Sequence, residues 1–179
     1  MRHELFVGWF DFYRARTDER LAGLTDAEYL WEPVPGCWSI RPGESGWVFE
    51  GSGSDPDPAP VTTIAWRLVH VSASLREHWV RAVAFERGKA DWFPPTEVPA
   101  TAADGIAMFT RACEQWRADI TSIDDARLDE PLGPEGGPFA DELVATFVEH
   151  IHDELIHHTA EIALLRDLFR AAAGAPLAR

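Results

Sequence analysis

Cysteine is scarce in this chain: Cys37 and Cys113 are the only two among 179 residues. A framework of disulfides is therefore excluded as the source of its stability. Basic side chains are also few. Sixteen Lys and Arg stand against thirty Asp and Glu, for a formal net charge of −14, which argues against a nucleic-acid partner held by a basic surface. No apolar run reaches the roughly 20 residues that span a bilayer. There is no glycine-rich phosphate loop and no G-x-S-x-G nucleophile elbow. The opening MRHELFVGWF lacks the layout of a signal peptide. The expectation is a cytoplasmic protein with reduced thiols that binds neither nucleic acid nor membrane.

What the chain does have is apolar mass and tryptophan. Hydrophobic residues make up 46% of it and Trp occurs eight times, enough for one domain over residues 1–179 with a sizeable core. Leu5, Phe6, Trp9, Phe12 and Tyr13 give the first helix an aromatic-rich side and a stop near Gly23. Thr25-Asp26-Ala27-Glu28 spells a capping box and predicts a short helix, ended by Pro33, Pro35 and Gly36. Residues 37–60 are rich in Gly, Pro, Ser and Asp, yet hold Trp38, Ile40, Trp47, Val48 and Phe49. That predicts a long irregular insertion packed on the bundle, with short extended pieces and its tip at residues 51–57.

Thr62 or Thr63 can cap a second long helix over residues 64–87, apolar on two sides. A connection at 91–99 follows. A third helix over 102–121 turns Ile106, Phe109, Cys113, Trp116 and Ile120 inward. Residues 128–139 read as a Gly- and Pro-rich loop, and the last helix runs from Phe139 or Ala140 to Gly174. Four long helices with no convincing strand pattern predict an all-α four-helix bundle. Cys113 reads as a core residue, and nothing near Cys37 marks it as activated, so no catalytic nucleophile is assigned.

The last helix carries the chemistry. At 100° per residue, Val144, Phe147, Ile151, Leu155, Ile162, Leu165 and Phe169 form one apolar stripe. His158 lies near its centre with Glu154 one turn earlier, while His152 projects to the far face. An imidazole on such a stripe needs partners for both nitrogens, and a carboxylate at i−4 can share a ligand with it. Glu154 and His158 are therefore the first candidate metal ligands, weighed against a core histidine satisfied by its neighbours. His152 and His157 are five apart, which excludes the H-E-x-x-H zinc-protease motif. The single E-x-x-H of Glu154 and His157 falls short of a di-iron site. The third ligand comes from another helix, His70 or His78, with periodicity slightly favouring His78. His150 is a further substitute. Two imidazoles and a carboxylate suit a divalent first-row metal, zinc first, with nickel, iron and manganese as alternatives.

HHTAEIALLRDL resembles the last-helix signature of the DinB-like superfamily, which also contains the mycothiol-dependent maleylpyruvate isomerases. Pro35-Gly36-Cys37-Trp38-Ser39-Ile40 is similar to that family's tryptophan–serine segment. Ile64-Ala65-Trp66-Arg67-Leu68-Val69-His70 is similar to its second-helix histidine motif. The resemblance covers most of the chain and implies a four-helix bundle with an unusual crossover. It implies metal ligands at His70, Glu154 and His158, the His–Glu–His set of the mycothiol branch. It also implies a small-molecule or low-molecular-weight thiol cosubstrate and a transferase, isomerase or hydrolase reaction. Glu77 and Glu161 then stand as groups orienting the imidazoles, and Trp38 and Trp47 as pocket walls. A non-catalytic, homodimeric interaction module is the alternative.

Overall fold

The computed structural model describes residues 2–51, 57–76, 79–85 and 98–174. Glu77, His78, the tip at 52–56 and most of the 91–99 connection lie outside the described residues. The chain is mostly helical. α1 (Arg2–Leu21) stops at Gly23, whose φ of 69° favours a residue without Cβ. α2 (Asp26–Tyr29) opens with the expected capping box: Thr25 Oγ1 accepts from the Glu28 amide and Glu28 accepts from the Thr25 amide.

β1 (Ile40–Gly43) and β2 (Gly46–Phe49) form an antiparallel hairpin, Ile40 opposite Phe49 and Gly43 opposite Gly46. The sequence reading admitted extended pieces here but no strand pattern. The strands are only four residues long and face the bundle with few side chains, so alternation never becomes visible. The residues flanking the hairpin close onto the next helix: Trp38 N donates to Val61 O at 2.9 Å and Thr63 N to Trp38 O at 2.9 Å. The insertion thus loops out, and the Trp-Ser segment docks at the start of α3 (Ile64–Arg76). Thr63 rather than Thr62 caps that helix, its Oγ1 accepting from the Trp66 amide at 3.2 Å. The helix expected over 64–87 is described as α3 and α4 (Trp79–Ala84), on either side of residues 77–78.

α5 (Ala102–Ser122) is capped by Thr101. A short α6 (Asp125–Leu128), capped by Asp124, precedes the region read as loop, and a 3-10 turn at Pro134–Phe139 lies within it. α7 (Val144–Ala172) begins four or five residues later than expected. Residues before it are held extended: Leu132 N donates to Glu142 O at 2.8 Å and Val144 N to Glu130 O at 3.0 Å. Those bonds compete successfully with a helical turn.

α1 packs against α5 and α7, and α3 packs against the same two. The long helices therefore form a ring in which α3 and α7 are neighbours. Phe109, Trp116, Leu68, Leu75, Ile120, Ile151 and Leu155 are fully buried between them. Gly105 shows how close the packing is. A Cβ there would lie 2.8 Å from the Tyr29 hydroxyl and 2.9 Å from its ring, and that ring is fully buried with its hydroxyl bonded to Pro99 O. Alanine is the better helix former by about 1 kcal/mol, but overpacking costs about 1–3 kcal/mol and the ring has nowhere to move. Gly105→Ala is expected to lower the thermal midpoint measured by circular dichroism, not raise it. Among the described residues, no helix is long and apolar enough to cross a membrane.

Candidate metal centre

α3 and α7 run side by side, and each carries part of one polar cluster into their seam. On α7 the apolar stripe from Val144 to Leu165 is buried as expected, and His158 is buried within it. Glu154 stands one turn before it. On α3, His70 faces the same point: His70 Nε2 lies 3.3 Å from Glu154 Oε2, and His158 Nε2 lies 3.1 Å from that same oxygen. The two imidazole rings meet edge to face with centroids 4.6 Å apart. All three donor atoms fall within 4.8 Å of one another.

These spacings can be set against the requirements of a cation. Donors about 2.0–2.2 Å from zinc in tetrahedral geometry stand about 3.3–3.5 Å apart. Of the two donor separations through Glu154, 3.3 Å meets that edge and 3.1 Å is slightly shorter, the third lies within 4.8 Å, and the donor set of two imidazoles and one carboxylate suits such a metal. Without a cation the same atoms pair with each other. Bonds from His158 and His70 hold the Glu154 carboxyl well below the usual carboxylate range. Burial works to lower the His158 pKa, but bonds to Glu154 and Glu161 outweigh it and raise it overall.

The far nitrogen of His158 is fixed as well. Its Nδ1 lies 2.8 Å from Glu161 Oε2, which leaves the Nε2 lone pair for the cluster, the carboxylate–histidine arrangement common behind metal-bound imidazoles. Arg67, one turn before His70, was not anticipated from the sequence. Its Nε stands 3.0 Å from Glu161 Oε2, an ion pair not aligned as a hydrogen bond, and its Nη1 is 3.0 Å from His158 Nδ1. Burial lowers its pKa against the opposing pull of Glu161 and Glu154, yet a guanidinium remains charged throughout the biological pH range.

An aromatic column supports His70. Its ring stacks on Trp66 at 4.8 Å, and Trp66 stacks on Phe49 of the hairpin at 4.9 Å and meets Trp38 at 5.9 Å. The Trp66 indole donates to Glu50 O at 2.8 Å. Trp38 thus reaches the cluster through Trp66. Trp47 lies elsewhere, lining a depression between the hairpin and α5 with Val98, Met108 and Arg111 and with none of the three donors.

The remaining histidines divide cleanly. His150 is exposed and belongs to no donor group among the described residues, while His3 pairs with Asp125 at 3.2 Å. His152, expected on the far face, is buried among Phe6, Phe10 and Trp116. The error came from treating α7 as having one buried side, when α1 covers a second. Burial pushes its pKa down to about 4, so it is a neutral core residue, and neither its Nε2 nor the Trp116 Nε1 nearby finds a partner among the described residues. Both thiols are buried. Burial raises the Cys37 pKa and pushes that of Cys113 up to about 12, the opposite of nucleophile activation.

A family model described as the DinB superfamily matches residues 10–162, a span that holds α3, Glu154 and His158. No curated protein and no solved structure gives a match.

Proposed function

The chain belongs to the DinB superfamily, and on that premise we propose that it holds one divalent first-row metal through His70, Glu154 and His158. Proteins of this superfamily generally bind a divalent metal, and the His and Glu groups for it are present. Zinc is the first choice and nickel, iron and manganese are the alternatives. The observation that carries the reading is the convergence of three donors from α3 and α7 with metal-like spacing, 3.3 and 3.1 Å through one carboxylate oxygen.

The reaction we assign is a transfer, isomerisation or hydrolysis in which a water or a low-molecular-weight thiol is the attacking group. The chemistry supplied by such a cation is Lewis acidity, which favours the deprotonated form of a water or thiol near neutral pH. The residues do the rest. Glu154, held between two imidazoles, serves as a ligand and not as a free base. Glu161 orients His158 through Nδ1. Trp66 fixes the plane of His70 and connects it to the hairpin. With both cysteines buried and unactivated, the nucleophile comes from the cosubstrate.

A non-catalytic, dimeric interaction module is the second reading, and one observation favours it: Leu5, Trp9 and Phe12 are exposed along one side of α1. Sedimentation distinguishes a dimer, but only metal content tests the first reading. Protein purified without a histidine tag is expected to carry, or to take up from Zn²⁺ followed by desalting, close to one equivalent of metal per chain. Folded protein that retains none would overturn the assignment.

A further inference from the structure

Among the described residues, two groups of potential metal donors overlap at His158. The first is His70, Glu154 and His158; the second is His157, His158 and Glu161, again with all donor atoms within 4.8 Å of one another. They use opposite nitrogens of the same ring. Nε2 of His158 faces Glu154 at 3.1 Å, whereas Nδ1 faces Glu161 Oε2 at 2.8 Å. His157 Nε2 completes the second group 3.3 Å from Glu161 Oε1, on a side chain 60% exposed and open to incoming ions. By donor chemistry alone, the helix could hold two cations bridged by one imidazole.

We propose that Arg67 fixes the metal count at one by occupying the second group with its guanidinium. Resting on the reading of the first site given above, this adds a residue that sets how many metals the cluster accepts. The geometry is direct. Arg67 Nε is 3.0 Å from Glu161 Oε2 and Nη1 is 3.0 Å from His158 Nδ1, so one fixed positive charge faces both inner donors of the second group. A divalent ion bonds such donors at about 2.0–2.2 Å and would have to sit against that charge. Arg67 cannot withdraw by losing its proton. Its side chain is only 16% exposed, and the guanidinium lies over the Trp66 ring, 5.2 Å from its centroid, which leaves it little freedom to swing away.

Glu161 Oε2, 2.8 Å from His158 Nδ1, selects the nitrogen that binds, because accepting a proton from Nδ1 leaves Nε2 as the lone-pair nitrogen on the Glu154 side. Arg67, a donor only, faces Nδ1 with its charge and acts by excluding a second cation. Arg67 is a positioning residue in this account, and it touches no substrate.

The test is the number of Zn²⁺ ions bound with micromolar or tighter affinity, read by calorimetry and by metal analysis after desalting, on tag-free protein. Wild type is expected to bind one. Arg67→Gln, which removes the charge and keeps polar atoms, is expected to bind two, and so is Arg67→Met, measured in parallel should the glutamine variant misfold. Arg67→Lys keeps a cation and is expected to bind one. Adding His157→Ala to Arg67→Gln should return the count to one. Wild type binding two, or folded charge-removed variants still binding one, overturns the proposal while leaving the first site standing. Wild type binding none overturns the first site instead.

Discussion

Replacing His158 with alanine is expected to abolish stoichiometric metal binding while the helices remain. Loss of a group that merely orients a ligand costs about 10- to 100-fold in affinity. His158 is both a proposed donor and the residue that Glu161 and Arg67 contact, so the effect of its removal is expected to exceed about 100-fold. The fold should survive because the substitution vacates space beside Glu154 and Glu161, whose side chains are 25% and 32% exposed and can turn to water. His157→Ala is the matched control: the neighbouring ring is exposed and outside the first donor group, so metal content should stay at one equivalent. Equal metal in the wild type and His158→Ala, measured without a tag, would remove the site.

The largest stability effect is expected at Arg166→Met. Arg166 of α7 is 2% exposed and holds Glu28, 4% exposed, in a two-pronged pair at 3.0 and 3.1 Å. It also donates to the backbone oxygens of Arg20 and Ala22, so one guanidinium ties α7 to the end of α1 and to the α2 capping box. Removing it leaves a buried carboxylate with only the Thr25 amide and the longer pair to Arg170 at 3.7 Å, and losing one partner of a buried pair costs up to about 3–5 kcal/mol. For a chain of this size that lowers the thermal midpoint by roughly 6–20 °C. The double variant Glu28→Leu/Arg166→Met should recover a large part, since an apolar pair leaves no buried charge. The pH dependence has a definite sign. Burial raises the Glu28 pKa, but the Arg166 bond and the Thr25 amide lower it further, for a folded value below the ordinary 4.5. The unfolded chain then takes up the proton first. The contribution is complete above about 4.5 and disappears as pH falls through the lower folded value. In Arg166→Met the carboxyl loses its bonded cation and keeps only Arg170 at 3.7 Å, so acid destabilisation should begin at higher pH. Thermal midpoints of both proteins across about pH 3 to 7 would show this; parallel curves would refute it.

Much of the fold was legible because helical periodicity and capping are local signals. The α7 stripe, the Thr25–Glu28 box and the stop at Gly23 needed no tertiary information. The pairing of Glu154 with His158 was legible for the same reason, being four residues apart on one face. The choice of His70 as partner came from family resemblance, since periodicity favoured His78. Arg67, Arg166 and His152 were missed because each draws its meaning from a helix distant in sequence. An arginine reads as surface until a carboxylate 94 or 138 residues away is placed beside it. The hairpin was seen only as extended pieces because its strands are too short to show alternation.

The column of rings from Phe49 through Trp66 to His70 has an optical consequence. Trp66 stacks directly on a proposed ligand imidazole, so part of the intrinsic emission of this tryptophan-rich chain would originate beside an ion held there. An open-shell cation such as Ni²⁺ would quench that component, whereas closed-shell Zn²⁺ would leave it lit. On the proposed site, the protein would carry its own fluorophore for identifying which metal it takes up, with no dye attached.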